Sequence, residues 1–241
     1  MESFDLIHRV NITRYSYHFA IGAFNIRDES DQIEIIDENV ENVSIRIYRP
    51  NNYEYVKSKQ FKNSTDFLMP TILFYHGGGY FVGSADTLEP VTYLMAKNTN
   101  FTVIYIEYRL IPEHKFPSAL HDSYGTTLYL IDNFRKYNID LNNLILMGDS
   151  AGGNLATVIG QKLSSNNILK PKLQILIYPL LQLFDFTLPS YRINLPKRVL
   201  GNIDHEKFKH FLHYFTGVEV DDSVFYNGHT TREHKESIYS Q

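Results

Sequence analysis

Apolar residues along this chain follow two rhythms. Residues 71–75, 103–106, 144–147 and 173–178 are short, nearly continuous apolar runs rich in β-branched and aromatic side chains. Strands buried on both faces of a parallel sheet read this way. Residues 43–48 instead alternate apolar with polar, as a half-exposed strand does. Between the runs the apolar positions recur at helical spacing. They do so over 88–97, over 118–137 (Leu120, Tyr124, Leu128, Ile131) and over 153–163. Strands alternating with helices predict an α/β fold, a mostly parallel sheet with helices on both faces. Residues 50–69 are polar and rich in Asn, Lys and Ser, and predict a loop or short hairpin. Beyond residue 178 the pattern changes to loops and short helices, one of them over 204–215. Residues 1–24 predict an amphipathic helix. One domain is expected, with residues 1–36 a helical cap segment, 37–178 the sheet core and 179–241 a cap-like segment.

Composition narrows this picture. The chain has 241 residues, 43% hydrophobic and 21% charged, enough for one packed core. A net charge of −4 argues against nucleic acid or an anionic membrane held by general electrostatics. There is no cysteine, which excludes disulfides, thiolate metal sites and a cysteine nucleophile. Arg9, Asn11, Arg14 and His18 interrupt the N-terminal segment, so it reads neither as a signal peptide nor as a bilayer span, and the chain as it stands is expected to be soluble. His210 and His213, three apart, share a helix face, but no carboxylate at a ligating spacing completes a metal site.

Two motifs carry chemistry. Gly148-Asp149-Ser150-Ala151-Gly152-Gly153-Asn154 lies between an apolar run and a helical pattern. A G-x-S-x-G at a strand-to-helix junction is a nucleophile elbow. Its serine sits on a strained turn, and side chains two residues before and after would collide there, hence Gly148 and Gly152. The start of the following helix also favours negative charge nearby. His76-Gly77-Gly78-Gly79 directly follows the run 71–75. Three glycines let backbone amides approach and point at a developing oxyanion. The expected donors are the amides of Gly77, Gly78 and Ala151. A phosphate loop is excluded, because no Lys-Ser/Thr follows and the G-x-G-x-x-G spacing is absent. His76 is expected to brace the loop rather than act as a base. In Tyr108-Arg109-Leu110-Ile111-Pro112-Glu113, Arg109 and Glu113 are expected to pair and stiffen the neighbouring loop.

Together these motifs resemble the hormone-sensitive-lipase branch of α/β-hydrolases, named for its HGGG loop, and in particular the arylacetamide deacetylase group. The segments that carry the resemblance are His76 to Tyr80, Tyr108 to Glu113, Phe116-Pro117, Gly148 to Asn154 and Ile177-Tyr178-Pro179, with looser matches at Leu188 to Tyr191 and His213 to Thr216. The resemblance implies an α/β-hydrolase fold and hydrolysis of carboxylic esters, with some amides, by an acyl-enzyme on Ser150. It implies no cofactor, and as the partner a small-molecule ester or amide with large apolar acyl or aryl groups. Members of the group usually carry a membrane anchor facing the endoplasmic reticulum lumen, and from residues 1–24 this chain is expected to begin without one. The group's catalytic Asp and His lie on loops after two further strands. No position here matches either, so the chain is expected to lack the C-terminal strands and to be incomplete or weakly active. A catalytically inactive, small-molecule-binding relative is the alternative.

Overall fold

The computed structural model describes residues 10–16, 27, 33–51, 68–181, 189 and 205–217, the last segment without the side chains of 205–208. Six strands form one sheet in the order β1-β2-β4-β3-β5-β6. They are β1 (Ile33–Val40), β2 (Val43–Pro50), β3 (Met69–Tyr75), β4 (Thr102–Glu107), β5 (Ile139–Asp149) and β6 (Leu173–Ile177). β1, β2 and β4 pair antiparallel, whereas β4, β3, β5 and β6 run parallel. Helices α1 (Ala85–Thr99), α2 (Ser118–Asp132) and α3 (Ser150–Ser165) make the crossovers, and α4 (His205–Thr216) follows. Among the described residues no strand pairs with the outer side of β6.

The near-continuous apolar runs are explained by this layering. Leu73, Tyr75, Ile104, Ile106, Leu144 and Leu146 face one way, onto α2 and α3 through Leu130, Leu155, Ile159 and Leu163. Their neighbours Ile72, Phe74, Val103, Tyr105, Ile145 and Met147 face the other way, onto α1 through Ala85, Leu88, Tyr93 and Ala96. Both faces are buried, so alternation disappears from the sequence.

The element limits differ from the sequence expectations for local reasons. α1 starts three residues earlier than its apolar pattern because Ser84 and Thr87 form a reciprocal capping box, Thr87 N–H to Ser84 Oγ at 3.2 Å and Ser84 N–H to Thr87 Oγ1 at 2.8 Å. α3 begins at Ser150 itself rather than at Gly153. α2 stops at Asp132, and residues 133–138 are turns that end with Asn138 in the left-handed region at φ 57°. The expected boundary at residue 36 falls inside β1, whose mixed polarity (IEIIDENV) hid an edge strand with one partner. Residues 10–16 are helical, and the remainder of the expected N-terminal helix lies outside the described residues, as does 52–67.

Leu146 sits at the centre of the sheet with no exposed surface. Leu146→Ala should therefore lower the unfolding free energy by about 2–5 kcal/mol, read as a lower urea midpoint at unchanged slope.

Candidate active site

The register of the parallel strands brings distant motifs together. Tyr75 at the end of β3 lies level with Ile106 on β4 and with Gly148 on β5. The glycine loop 76–79, the loop from Tyr108 and the turn at Ser150 therefore leave the sheet side by side at its C-terminal edge, where ligands of open α/β sheets bind.

The turn is held by contacts that only glycine permits. A Cβ on Gly152 would lie 1.9 Å from the Tyr75 carbonyl oxygen, and one on Gly148 2.4 Å from the Gly152 backbone. Ser150 adopts φ 49°, a left-handed conformation costly for a side chain-bearing residue. It is half-buried at the first turn of α3. No hydrogen bond joins its hydroxyl to a described histidine or carboxylate. Its carbonyl accepts from Leu180 N–H at 3.0 Å, and Asn154 Nδ2 donates to the Leu180 carbonyl at 2.7 Å. The segment after β6 is thereby fastened to the start of α3.

The glycine loop folds into a tight turn in which Phe81 N–H donates to the Gly78 carbonyl at 3.0 Å. Its central residues, Gly79 at φ 62° and Tyr80 at φ 64°, are both left-handed. Tyr80 tolerates this because its buried ring is pinned. Its hydroxyl donates to Asn154 Oδ1 at 2.9 Å, and the ring stacks on Phe215 of α4 with centroids 4.7 Å apart. Nothing in the sequence pattern marked this role for Tyr80 or for Asn154, although both flank the two motifs.

Two expectations require correction. Gly77 does not offer a free amide, since its N–H donates to Asp149 Oδ1 at 2.8 Å. The carboxylate beside Gly77 also leaves no room for a Cβ. By contrast, the amides of Gly78, Gly79 and Ala151 lead to no acceptor among the described residues. Burial pushes the Asp149 carboxyl up, and the Gly77 amide partly opposes this by favouring the charged form. The second correction concerns Arg109 and Glu113, which do not pair. Arg109 donates to Asp122 on α2, Nε to Oδ2 at 2.8 Å and Nη2 to Oδ1 at 2.7 Å, while its backbone amide donates to Oδ2 at 3.0 Å. Glu113 instead receives Arg14, 99 residues away, at 2.7 Å and 2.9 Å. Asp122 and Arg14 each offer a two-pronged partner that loop neighbours four residues apart did not supply.

His76 is wholly buried between Tyr108, parallel at 4.2 Å between centroids, and Tyr105 at 5.4 Å. Its Nδ1 lies 2.7 Å from the Gly77 carbonyl, which can only accept, so Nδ1 carries the proton. Its buried Nε2 has no hydrogen-bond partner. Desolvation holds the ring neutral, its pKa lowered to about 4. Of the histidines and aspartates late in the chain, none of which the sequence matches to the catalytic pair, His210 and His213 lie on α4, and His229, His234, Asp185, Asp204, Asp221 and Asp222 lie outside the described residues. His205 opens α4, its side chain among those not described. Among the described residues no cluster of three metal-ligating side chains occurs, and no helix is long and apolar enough to cross a membrane. A depression of about 360 Å³ is lined by Asp37, Glu38, Arg46 and Glu107 among others, and includes no residue of the glycine loop or the elbow.

Comparison with known proteins agrees with this geometry. A family model described as the alpha/beta hydrolase fold matches residues 72–227, and the chain belongs to that family. It is 31% identical over 240 residues to neutral cholesterol ester hydrolase 1 of Bos taurus, an alignment covering 94% of this chain and 55% of that protein. It is 35% identical over 192 residues to arylacetamide deacetylase of Bos taurus, covering 77% and 45%. The chain thus spans about half the length of these curated relatives. Among solved structures, an esterase from Rhizomucor miehei superposes with a TM-score of 0.67 at 26% identity, covering 90% of this chain and 65% of that one. The metagenomic carboxylesterase EstE1 superposes with a TM-score of 0.70 at 22% identity, covering 90% and 71%, a likeness of fold. Within the family, these relatives place the chain in the hormone-sensitive-lipase branch, a lineage of carboxylic ester hydrolases.

The state of His76 has a pH consequence. Its folded pKa of about 4 lies below its ordinary 6.5, so the unfolded chain binds the extra proton between these values. Stability attributable to this ring is complete above pH 6.5 and falls as pH drops toward 4, by on the order of 3 kcal/mol. Urea unfolding at a series of pH values should show this slope, and His76→Asn should flatten it.

Proposed function

We propose that the protein is a serine carboxylic ester hydrolase, in which Ser150 Oγ attacks the acyl carbon of an apolar ester or amide. The amides of Gly78, Gly79 and Ala151 receive the oxygen that becomes negative, with His76 and Gly77 shaping the loop from behind. The observation that carries this reading is the approach of the glycine loop to the turn at Ser150. Gly152 passes the end of β3 so closely that a Cβ would stand 1.9 Å from the Tyr75 carbonyl. Each preorganised donor of this kind contributes roughly 3–4 kcal/mol to the transition state. Attack releases the Ser150 proton, and no described side chain is hydrogen-bonded to take it. A serine hydroxyl is a weak nucleophile without a base, and loss of the base costs on the order of a million-fold in turnover. The acid and base therefore come from outside the described residues. Large aryl or acyl groups suit the aromatic side chains around the loop, Phe81, Phe211 and Tyr214.

The same missing hydrogen bond favours one second reading, a small-molecule-binding relative that keeps the site without turnover. An alkyl fluorophosphonate probe separates the two. Hydrolysis predicts covalent labelling mapped to Ser150 and complete loss of labelling in Ser150→Ala. Absence of labelling, with binding of an apolar ester unaffected by Ser150→Ala, overturns the hydrolase in favour of the binder.

A further inference from the structure

We propose that Arg14 is a positioning residue, a latch by which the N-terminal segment holds the glycine loop in shape. Its guanidinium reaches three groups from two other segments. Nε donates to the Phe81 carbonyl at 2.7 Å, two residues past the last glycine of the loop. Nη2 donates to the Ile111 carbonyl at 3.0 Å. Both terminal nitrogens meet the Glu113 carboxylate, at 2.7 Å and 2.9 Å. The two loops are also joined directly, because Ile111 N–H donates to the Tyr80 carbonyl at 2.9 Å. Arg14 therefore closes a ring that runs from Tyr80 to Phe81, through its guanidinium to Ile111, and back to Tyr80.

The position of this ring gives it a task. Phe81 N–H and Val82 N–H both donate to the Gly78 carbonyl, at 3.0 Å and 3.2 Å. Fixing the Phe81 carbonyl thus fixes the far end of the turn whose near end presents Gly78 and Gly79. That turn is strained, with three consecutive residues at positive φ (Gly78 at 104°, Gly79 at 62°, Tyr80 at 64°), and strained backbone persists only where its surroundings hold it. The ion pair by itself would contribute little, because the Arg14 and Glu113 side chains are 26% and 36% exposed. The weight rests on the two carbonyls, which the rigid planar fork reaches from two different nitrogens, a geometry that the single nitrogen of a lysine does not reproduce. Glu113 orients the fork, and Arg14 beside it holds the Glu113 carboxyl below its ordinary range.

This role deepens the hydrolase reading, and its test has one arm that does not depend on that reading. Amide hydrogen exchange is followed over residues 77–83 and over β4 in the wild type, Arg14→Ala, Arg14→Lys and Glu113→Gln. Turnover of a p-nitrophenyl ester is measured on the same four proteins. Arg14→Ala should speed exchange over 77–83 by about tenfold with β4 unchanged, and should lower kcat by about 10–100-fold at nearly constant KM, the scale of a small misplacement caused by a change remote from the reacting atoms. Arg14→Lys keeps one carbonyl contact and should recover part of the loss, while Glu113→Gln keeps both and should stay within about threefold of wild type. If Arg14→Ala does not fold, Arg14→Lys carries the comparison. Unchanged exchange over 77–83 overturns the latch whatever the turnover. Faster exchange with unchanged kcat overturns the positioning role. A wild type without turnover, whose loop exchange still rises on substitution, supports the latch and counts against the hydrolase instead.

Discussion

Two backbones pass each other at the top of this sheet with no space for a side chain between them. The start of α3 crosses the end of β3 so closely that a methyl group on Gly152 would overlap the Tyr75 carbonyl, and one on Gly148 would overlap Gly152. Everything at the candidate site follows from that crossing. It forces the chain to turn sharply after β5, puts Ser150 at a positive φ and starts α3 directly beside the end of β3. A bulkier residue would push the helix away and separate the two motifs. The glycines are thus a steric requirement of the site, and the strain at Ser150 is carried by the packing of α3 through Leu155, Ile159 and Leu163.

The glycine loop is held from three sides by groups of different chemistry. Below it, His76 is stacked between two tyrosines and kept neutral by burial. On the side of the elbow, Asp149 takes the Gly77 amide and Tyr80 reaches Asn154. From above, Phe211, Tyr214 and Phe215 of α4 pack on Phe81 and Tyr80. A loop rich in glycine has high conformational entropy when free, so its fixed geometry depends on such outside contacts. That dependence explains why so many polar contacts of the described chain converge on residues 77–82, and why the N-terminal segment takes part in them.

The sequence made the fold class readable because burial on both faces writes itself as short apolar runs, and helices between them keep their own period. It also located both motifs, since the glycines of 77–79 and 148–152 have no other ready explanation beside an apolar run. β1 escaped because an edge strand with one solvent face has mixed polarity. The start of α1 escaped because a capping box of Ser84 and Thr87 precedes the first apolar positions that reveal a helix.

What the amino-acid order determined by itself was local: periodicity, glycine placement and the presence of a serine at a strand-to-helix junction. These depend on residues within a few positions of one another, where steric rules act directly. Tertiary structure alone decided which charges meet and which amides stay free. Arg109 found Asp122 rather than Glu113, Glu113 found Arg14 across 99 residues, and Asp149 took the Gly77 amide that the sequence alone assigned to the oxyanion. Long polar side chains reach several ångströms in any direction, so their partners are fixed by the register of the strands and the course of the loops. No pattern along the chain encodes that choice.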